Sequence, residues 1–521
     1  MKRLPHILTL TCTACLASAA TINVPADYAT IKGAIHASSD GDVIAIAAGT
    51  YYEWNLNPQG RAITIRGRVN TDGELTTTID AQGSGIVLRC NSGETESTIF
   101  EHLIITGGYS DYDDVGLDFG GGMCNESSNP TLNNCMFMAN TAYSGGGMFN
   151  WLSNPTLNGC TFMDNTSGGG AGMSNQASSP RLIDCTFSNN TAENIGGAMI
   201  NSQGTPMLEH CTFTNNTAQF GGAMYISQGS PTMLGCVLTA NVATMSGGGI
   251  YSNSNSNPML EHCTFENNIA GSNAGGMQNW RGSASLNNCT FTGNHAGNRG
   301  GGMYNPGNFE DIVLTDCTFT ANEANEGGGI RHTGRGSLVG CRFEHNRAHL
   351  GGGMLIYHCG WGTSLNTCTF TGNMAHSGGG IANKYLGATI TDCAFTANTA
   401  DEFGGGMYNI DSNPTVVICR FTGNTAQEAG SGMYNDDESL PSLQGTRICS
   451  NTTDQLSPAD SYDDDGGNTI VDECPEDCLG DFTDDGIVNV DDLLVVIAGW
   501  NRPYTVDDLL LVTATWHATC P

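Results

Sequence analysis

Along most of this chain apolar residues fall two apart, and the alternation is punctuated at a nearly fixed interval. Between residues 119 and 432, Cys is followed two positions on by Phe or Leu. Asn comes three positions later, and then a Gly-rich run ending in Met or Ile. The first copy is Cys135, Phe137, Asn140 and Gly145-Gly146-Gly147-Met148; the last full copy is Cys419, Phe421, Asn424 and Gly430-Ser431-Gly432-Met433. Twelve copies recur at spacings of 24 to 28 residues. Two-residue alternation predicts strands whose Cys and Phe side chains point to the same, inner side. So short a period predicts one structural turn per copy, which buries its apolar face only by stacking on its neighbours. The expected fold class is all-β, a parallel solenoid.

The columns of like residues follow from that stacking. Asn140, Asn165, Asn190 and their equivalents through Asn424 are expected to occupy a turn, where Asn accepts left-handed backbone and its amide bonds the Asn above and below. The Ala two residues later (Ala142, Ala192, Ala218; Ser167 is the exception) marks a place for a small side chain only. Before the repeats, residues 21–25, 42–46 and 62–65 read as strands. Residues 28–38 read as an amphipathic helix with Ile31, Ala34 and Ile35 on one face. A helix there would cap the open edge of the stack.

Composition sharpens this picture. Among 521 residues 71 are Gly and only 13% are charged, which suits tight turns and disfavours coiled coil or disorder. The formal net charge is −33, and from Tyr434 onward 19 acidic residues face only Arg447 and Arg502. Such a chain repels nucleic acid and anionic membranes, attracts divalent cations and stays soluble. Lys2 and Arg3 precede an apolar stretch from Ile7 to Leu16 and the small residues Ala17-Ser18-Ala19, so residues 1–20 read as an export signal, too short to span a bilayer. Lipid attachment at Cys15 is the alternative, which Cys12 fits poorly. No later segment is apolar enough for a membrane helix, and the expected location is secreted or cell-surface.

Export raises the question of the 21 cysteines, twelve of which hold one repeat position from Cys135 to Cys419. Equivalent residues on stacked strands lie about 4.8 Å apart with side chains parallel, whereas a disulfide needs Cβ atoms roughly 3.5–4.5 Å apart. The column is therefore expected to be inward-facing thiols acting as small apolar residues. The spacing is wrong for zinc.

Phe-x-x-Asn followed by Gly-Gly-Ala/Gly-Ile/Met is similar to the repeat of chlamydial polymorphic outer-membrane proteins. That resemblance implies a right-handed parallel β-helix used at the cell surface, often in adhesion. Val24-Pro25-Ala26-Asp27-Tyr28-Ala29-Thr30-Ile31 and Ala48-Gly49-Thr50-Tyr51 resemble the opening of pectin-lyase-like β-helices, a superfamily rich in polysaccharide enzymes. Together the resemblances cover residues 21–470, and the β-helix domain is expected over 21–472. The chain departs from the chlamydial pattern where those proteins carry a membrane barrel.

Residues 473–521 form a separate expected module. Asp481, Thr483, Asp485, Gly486, Ile487, Asn489 and Asp492 occupy positions 1, 3, 5, 6, 7, 9 and 12 of an EF-hand-like loop. Carboxylates of Asp481, Asp485 and Asp492, with oxygens of Thr483, Ile487 and Asn489, suit Ca²⁺, while Gly486 allows the sharp turn. The plainer alternative is an acidic turn capping the helix that starts at Leu493. The segment resembles a dockerin repeat, a small α-helical module that implies a cohesin-like protein or surface scaffold as partner. Its second copy keeps only Val506-Asp507-Asp508-Leu509-Leu510, with Ile497 and Asn501 where ligands belong, so that calcium site is expected to be lost. Val490 and Asp491 also replace the hydroxyl pair common at the family's recognition positions. A disulfide from Cys474 or Cys478 to Cys520 would clasp the module.

For a ligand site on the solenoid, the residue after each repeat Met points outward. That column reads Cys124, Phe149, Ser174, Ile200, Tyr225, Tyr251, Gln278, Tyr304, Arg331, Leu355, Ala382, Tyr408 and Tyr434, with no carboxylate. Tyr225, Tyr251, Tyr304, Tyr408 and Tyr434 are candidates to hold sugar rings; equally, they shield the sheet. Asp184 and His210, with Glu209 and His262 nearby, are the one acid–base pairing that the register suggests. No catalytic residue is assigned. Two functions remain: a surface β-helix protein that binds polysaccharide and is attached through a calcium module, or a polysaccharide lyase or glycoside hydrolase of the β-helix superfamily.

Overall fold

The computed structural model describes residues 19–110, 119–253, 255–307, 311–358 and 362–474. It divides into two compact units, Met1–Asn325 and Glu326–Pro521. Both are parallel β-solenoids, as the repeat predicts. Residues 1–18 of the expected export signal (1–20) and residues 475–521 of the expected C-terminal module (473–521) lie outside the described residues.

In the first unit one coil consists of the strands Thr131–Asn133, Met136–Met138, Thr141–Ser144 and Met148–Trp151. Each pairs in parallel with its equivalent one coil on: Leu132 with Leu157, Phe137 with Phe162, Ala142 with Ser167 and Met148 with Met173. The paired inner residues are all buried, so the core is a set of columns rather than a jigsaw of unlike side chains. The phenylalanine rings stack nearly parallel, with centroids 4.8, 4.7 and 4.9 Å apart from Phe137 through Phe162 and Phe187 to Phe213. Leu238 interrupts the stack, which resumes over Phe265, Phe291 and Phe319. The second unit repeats it from Phe343 through Phe370 and Phe395 to Phe421.

Cysteines of the repeat column are buried thiols outside any disulfide, as expected. Each sits at a corner, and its thiol donates to carbonyls: Cys160 Sγ reaches Leu132 O at 3.6 Å and Asn158 O at 3.7 Å. Burial pushes the Cys160 thiol well up, so it stays protonated and unreactive. The disulfide found among the described residues differs from the expected clasp. Cys474 bonds Cys449, one coil earlier, with Cα atoms 4.9 Å apart, because the last coil brings these two together.

The asparagine column forms the expected ladder. Asn165 Nδ2 donates to Asn190 Oδ1 at 3.0 Å and to Phe137 O at 2.9 Å, and the pattern continues coil by coil. The backbone reading needs correction, however. The left-handed residue is the one before each Asn, for example Ala139 at φ 51° and Asp164 at φ 55°, and likewise the one before each Cys, as in Asn134 at φ 49°. The corner turns at that exposed residue, which leaves the Asn amide free to point inward.

Gly145, at φ 68°, reverses the chain between the third and fourth strands. Two residues on, a Cβ at Gly147 would lie 2.5 Å from Gly172 O, so successive coils approach too closely for any side chain. The N-terminal helix α1, Ile31–Ala37, buries Ile31, Ala34 and Ile35 as predicted. Thr30 Oγ1 accepts from Gly33 N at 3.1 Å, and Glu53 accepts from the Ile31 and Lys32 amides at 2.7 and 2.9 Å.

Candidate functional site

Outside the glycine corner, the third strands of the first unit form a wall beside the fourth strands, and a strip of surface lies between these two columns. Its floor is the residue after each Met, in register from Phe149 through Ser174, Ile200, Tyr225, Tyr251 and Gln278 to Tyr304. This column is less open than its outward direction suggests, since Phe149, Ile200, Gln278 and Tyr304 are buried. Side chains of the wall lean over it. Phe119 lies 4.5 Å from the Phe149 ring, and Phe220 meets Tyr251 edge-on at 5.3 Å.

The wall is dented at one coil. Strand Thr166–Gly169 carries Gly168 and Gly169 where the coil before has Tyr143 and Ser144. The coil after carries Glu193, Asn194 and Ile195, with a register shift that bulges the strand outward. The missing side chains leave an open cavity of about 490 Å³, rimmed by Tyr109 and Tyr143 on one side and by Glu193, Asn194 and Ile195 on the other. Tyr109 and Tyr143 are 44% and 55% exposed, although large aromatic rings are costly to leave in water. Ser144 Oγ and Ser174 Oγ meet at 3.0 Å beside the cavity. Aromatic faces next to hydroxyl, amide and carboxylate groups offer both surfaces that a sugar ring presents, its C–H face and its hydroxyl rim.

The sequence-predicted tyrosines fall into three groups. Tyr225 and Tyr251, half-buried, stack with centroids 5.4 Å apart, and Asn253 Nδ2 donates to Tyr225 Oη at 2.8 Å. Burial, with Tyr225 alongside, pushes the Tyr251 phenol up to about 12. Tyr304 is 5% exposed with the Arg299 guanidinium 5.9 Å from its ring centre, so its face is not open to a ligand. In the second unit Tyr408 and Tyr434 both pack on Phe403, at 6.2 and 4.5 Å, which favours the shielding role there.

Asp184 and His210 do approach, but at 3.9 Å with both side chains more than 60% exposed. Glu209 is engaged by Arg181 at 2.9 Å and His262 faces Glu261 at 3.7 Å. These are corner residues in water, where such pairs are weak. The expected calcium ligands Asp481, Thr483, Asp485, Ile487, Asn489 and Asp492 lie outside the described residues. Among the described residues no group of three His, Cys, Asp or Glu is placed to hold a metal.

Two features have no counterpart among the sequence expectations. One is the dent, whose signal is the pair Gly168-Gly169 where neighbouring coils carry side chains. The other is a second ladder on the fourth strand: Asn125, Asn150, Asn175 and Asn201 point inward, with Nδ2 to Oδ1 distances of 2.8 Å at each step.

Among solved structures, the chain is similar to the periplasmic alginate epimerase AlgG, at 9% identity and TM-score 0.35, covering 83% of this chain and 85% of that one. It is also similar to a mannuronic acid specific polysaccharide family 6 lyase enzyme from human gut microbiota, at 11% identity and TM-score 0.35, covering 95% and 99% of the two chains. A comparison with curated proteins finds no match. The family model described as "Right handed beta helix region" matches residues 62–238 and 196–384. With that match spanning more than half of its length, and with columns of like residues stacked in parallel register, the chain belongs to the right-handed β-helix family.

Proposed function

We propose that this chain binds polysaccharide outside the cell, holding a saccharide unit in the dent beside Gly168. The observation that carries this reading is the pair of exposed rings, Tyr109 and Tyr143, facing the polar rim Glu193–Asn194 across a cavity of about 490 Å³. The floor continues into the Tyr225–Tyr251 stack, so a polymer rather than a single sugar suits the strip. A degradative reading is less favoured by the lining. Among the described residues that line it the dent holds one carboxylate, Glu193, whereas glycoside hydrolysis ordinarily uses two.

Titrating the full chain with a panel of soluble polysaccharides tests the proposal. At least one should bind saturably, and Tyr143→Ala should weaken it about 10-fold, equivalent to about 1.4 kcal/mol. Unaltered affinity in that variant removes the dent from the reading. Release of reducing or unsaturated ends during the incubation would turn it toward an enzyme.

Attachment is the second part of the proposal. The acidic loop from Asp481 to Asp492 would bind Ca²⁺ and present the C-terminal segment to a cohesin-like protein or surface scaffold. Calorimetry should find calcium binding that Asp485→Ala reduces at least tenfold, since one of three charged ligands is lost. Calcium heats identical in the variant would refute the assignment.

A further inference from the structure

The second strand of each coil in the first unit turns its Phe or Leu inward and the residues on either side outward. From Phe187 to Phe319 these outward residues form two columns in parallel register. One runs through Thr186, Thr212, Val237, Thr264, Thr290 and Thr318, the other through Ser188, Thr214, Thr239, Glu266, Thr292 and Thr320. All but Val237 and Glu266 carry a hydroxyl, and among these positions Glu266 is the one charge, in a chain with 51 acidic residues. The outward columns of the first strands, by comparison, mix Arg181, Met207, Glu209 and Glu261.

The array is regular in both directions. Beneath it the ring centroids of Phe162, Phe187 and Phe213 lie 4.7 and 4.9 Å apart, and those of Phe265, Phe291 and Phe319 lie 4.5 and 4.7 Å apart. From one ring to the next the planes turn by only 4°, 6°, 5° and 9°. Neighbouring strands of an ordinary sheet turn by roughly 20–25°, so this face is unusually flat. Along each strand the two outward side chains stand roughly 6.6 Å apart, two residues of extended chain. Their hydroxyls are also uncommitted. Thr131 on the first strands donates to Glu96 O at 2.8 Å. Among the described residues, the hydroxyls of Thr212, Thr214, Thr290, Thr292, Thr318 and Thr320 have no protein partner.

We propose that this face of the first unit binds ice. Its two repeats lie near the oxygen repeats of hexagonal ice across and along the prism face, so many hydroxyls join the lattice at once. Liquid water holds no such repeat. A single hydroxyl gains little by exchanging one water partner for another, and the sum over an array held rigid beforehand supplies the adsorption. Threonine methyl groups between the hydroxyls restrict the water above them, which favours an ordered layer. Other occupants fit less well. A sugar chain calls for aromatic platforms, and these columns hold none. A nucleic acid or an ionic polymer calls for charge, and Glu266 alone supplies any.

The test places the full chain around a seed ice crystal and measures the interval below the melting point over which the crystal does not grow. The parent chain should open a measurable interval. Thr290→Tyr puts a bulky outward group between Thr264, Thr318 and Thr292, and should remove most of it. Glu266→Thr, which completes the second column, should widen it. Thr232→Tyr, on the first strands, and Tyr143→Ala, at the dent, should leave it unchanged, so this test and the polysaccharide titration fail independently. Glu266→Thr decides the matter if Thr290→Tyr loses the native unfolding transition. No interval in the parent chain, a parental interval in folded Thr290→Tyr, or no widening in Glu266→Thr would each overturn the proposal. Retention on crystalline cellulose that Thr290→Tyr abolishes would also overturn it, because the face would then belong to a sugar polymer.

Discussion

Asn216→Ala is expected to destabilise the first unit by roughly 3–6 kcal/mol, out of proportion to the few atoms removed. The Asn216 side chain is fully buried and makes four hydrogen bonds. Its Oδ1 accepts from Asn190 N at 3.0 Å and Asn190 Nδ2 at 2.9 Å. Its Nδ2 donates to Asn241 Oδ1 and to Phe187 O, both at 3.0 Å. Asn190 Nδ2 keeps a second partner, Phe162 O, and Asn241 Oδ1 keeps the Asn216 amide. The Asn190 N–H and Phe187 C=O lose the bonds that side chain supplied, each at a cost of about 1–3 kcal/mol, and the vacated space adds a cavity term. Asn216→Asp should be no better. It retains the acceptor, loses both donors and buries a charge. Denaturant unfolding measures the loss. Hydrogen exchange should place it in the coils carrying Thr191 and Thr217, because each coil contacts only its neighbours. An unfolding midpoint equal to that of the parent chain would mean the ladder contributes nothing.

The ladder also shows what a sequence can disclose about a solenoid. A column of identical residues is visible in one dimension because the coil converts a period of about 25 residues into vertical contact. The inward thiols, the phenylalanine stack and the Asn140–Asn165 ladder are legible in that way. What does not repeat is harder to place. The left-handed corner residue varies among Asn134, Gly159, Asp184 and His210, so its column has no signature, and the pattern points instead to the Asn column as the turn. The exposure of the tyrosine column depends on which side chain leans over from the adjoining strand. Phe220 beside Tyr251 and Arg299 over Tyr304 follow no fixed pattern from coil to coil. The dent at Gly168 arises from a departure from the repeat, where one coil lacks the side chains its neighbours carry.

Another departure is expected to make the second unit acid-sensitive. His332 occupies a fourth-strand position that several coils fill with Asn, for example Asn383 and Asn409, and it is fully buried. Its Nε2 lies 3.2 Å from Thr363 Oγ1, and Thr363 Oγ1 donates to Gly334 O at 2.8 Å, so the imidazole donates to the hydroxyl oxygen. Burial drives its pKa down to about 4, with a backbone hydrogen bond at Gly334 opposing and the Arg331 charge assisting. The folded chain therefore holds His332 neutral while the unfolded chain binds a proton near pH 6.5. The stability that neutral His332 allows is complete above pH 6.5 and declines as pH falls toward 4. The total is roughly 3 kcal/mol, because each tenfold difference in proton affinity between the two states is worth about 1.4 kcal/mol. His332→Asn should remove that part of the slope between pH 6.5 and 4, while the carboxylates shared by both proteins contribute equally. Unfolding midpoints of the two chains should thus converge or cross on acidification. Parallel pH profiles for the two chains would show that the buried imidazole is not the source of the acid sensitivity.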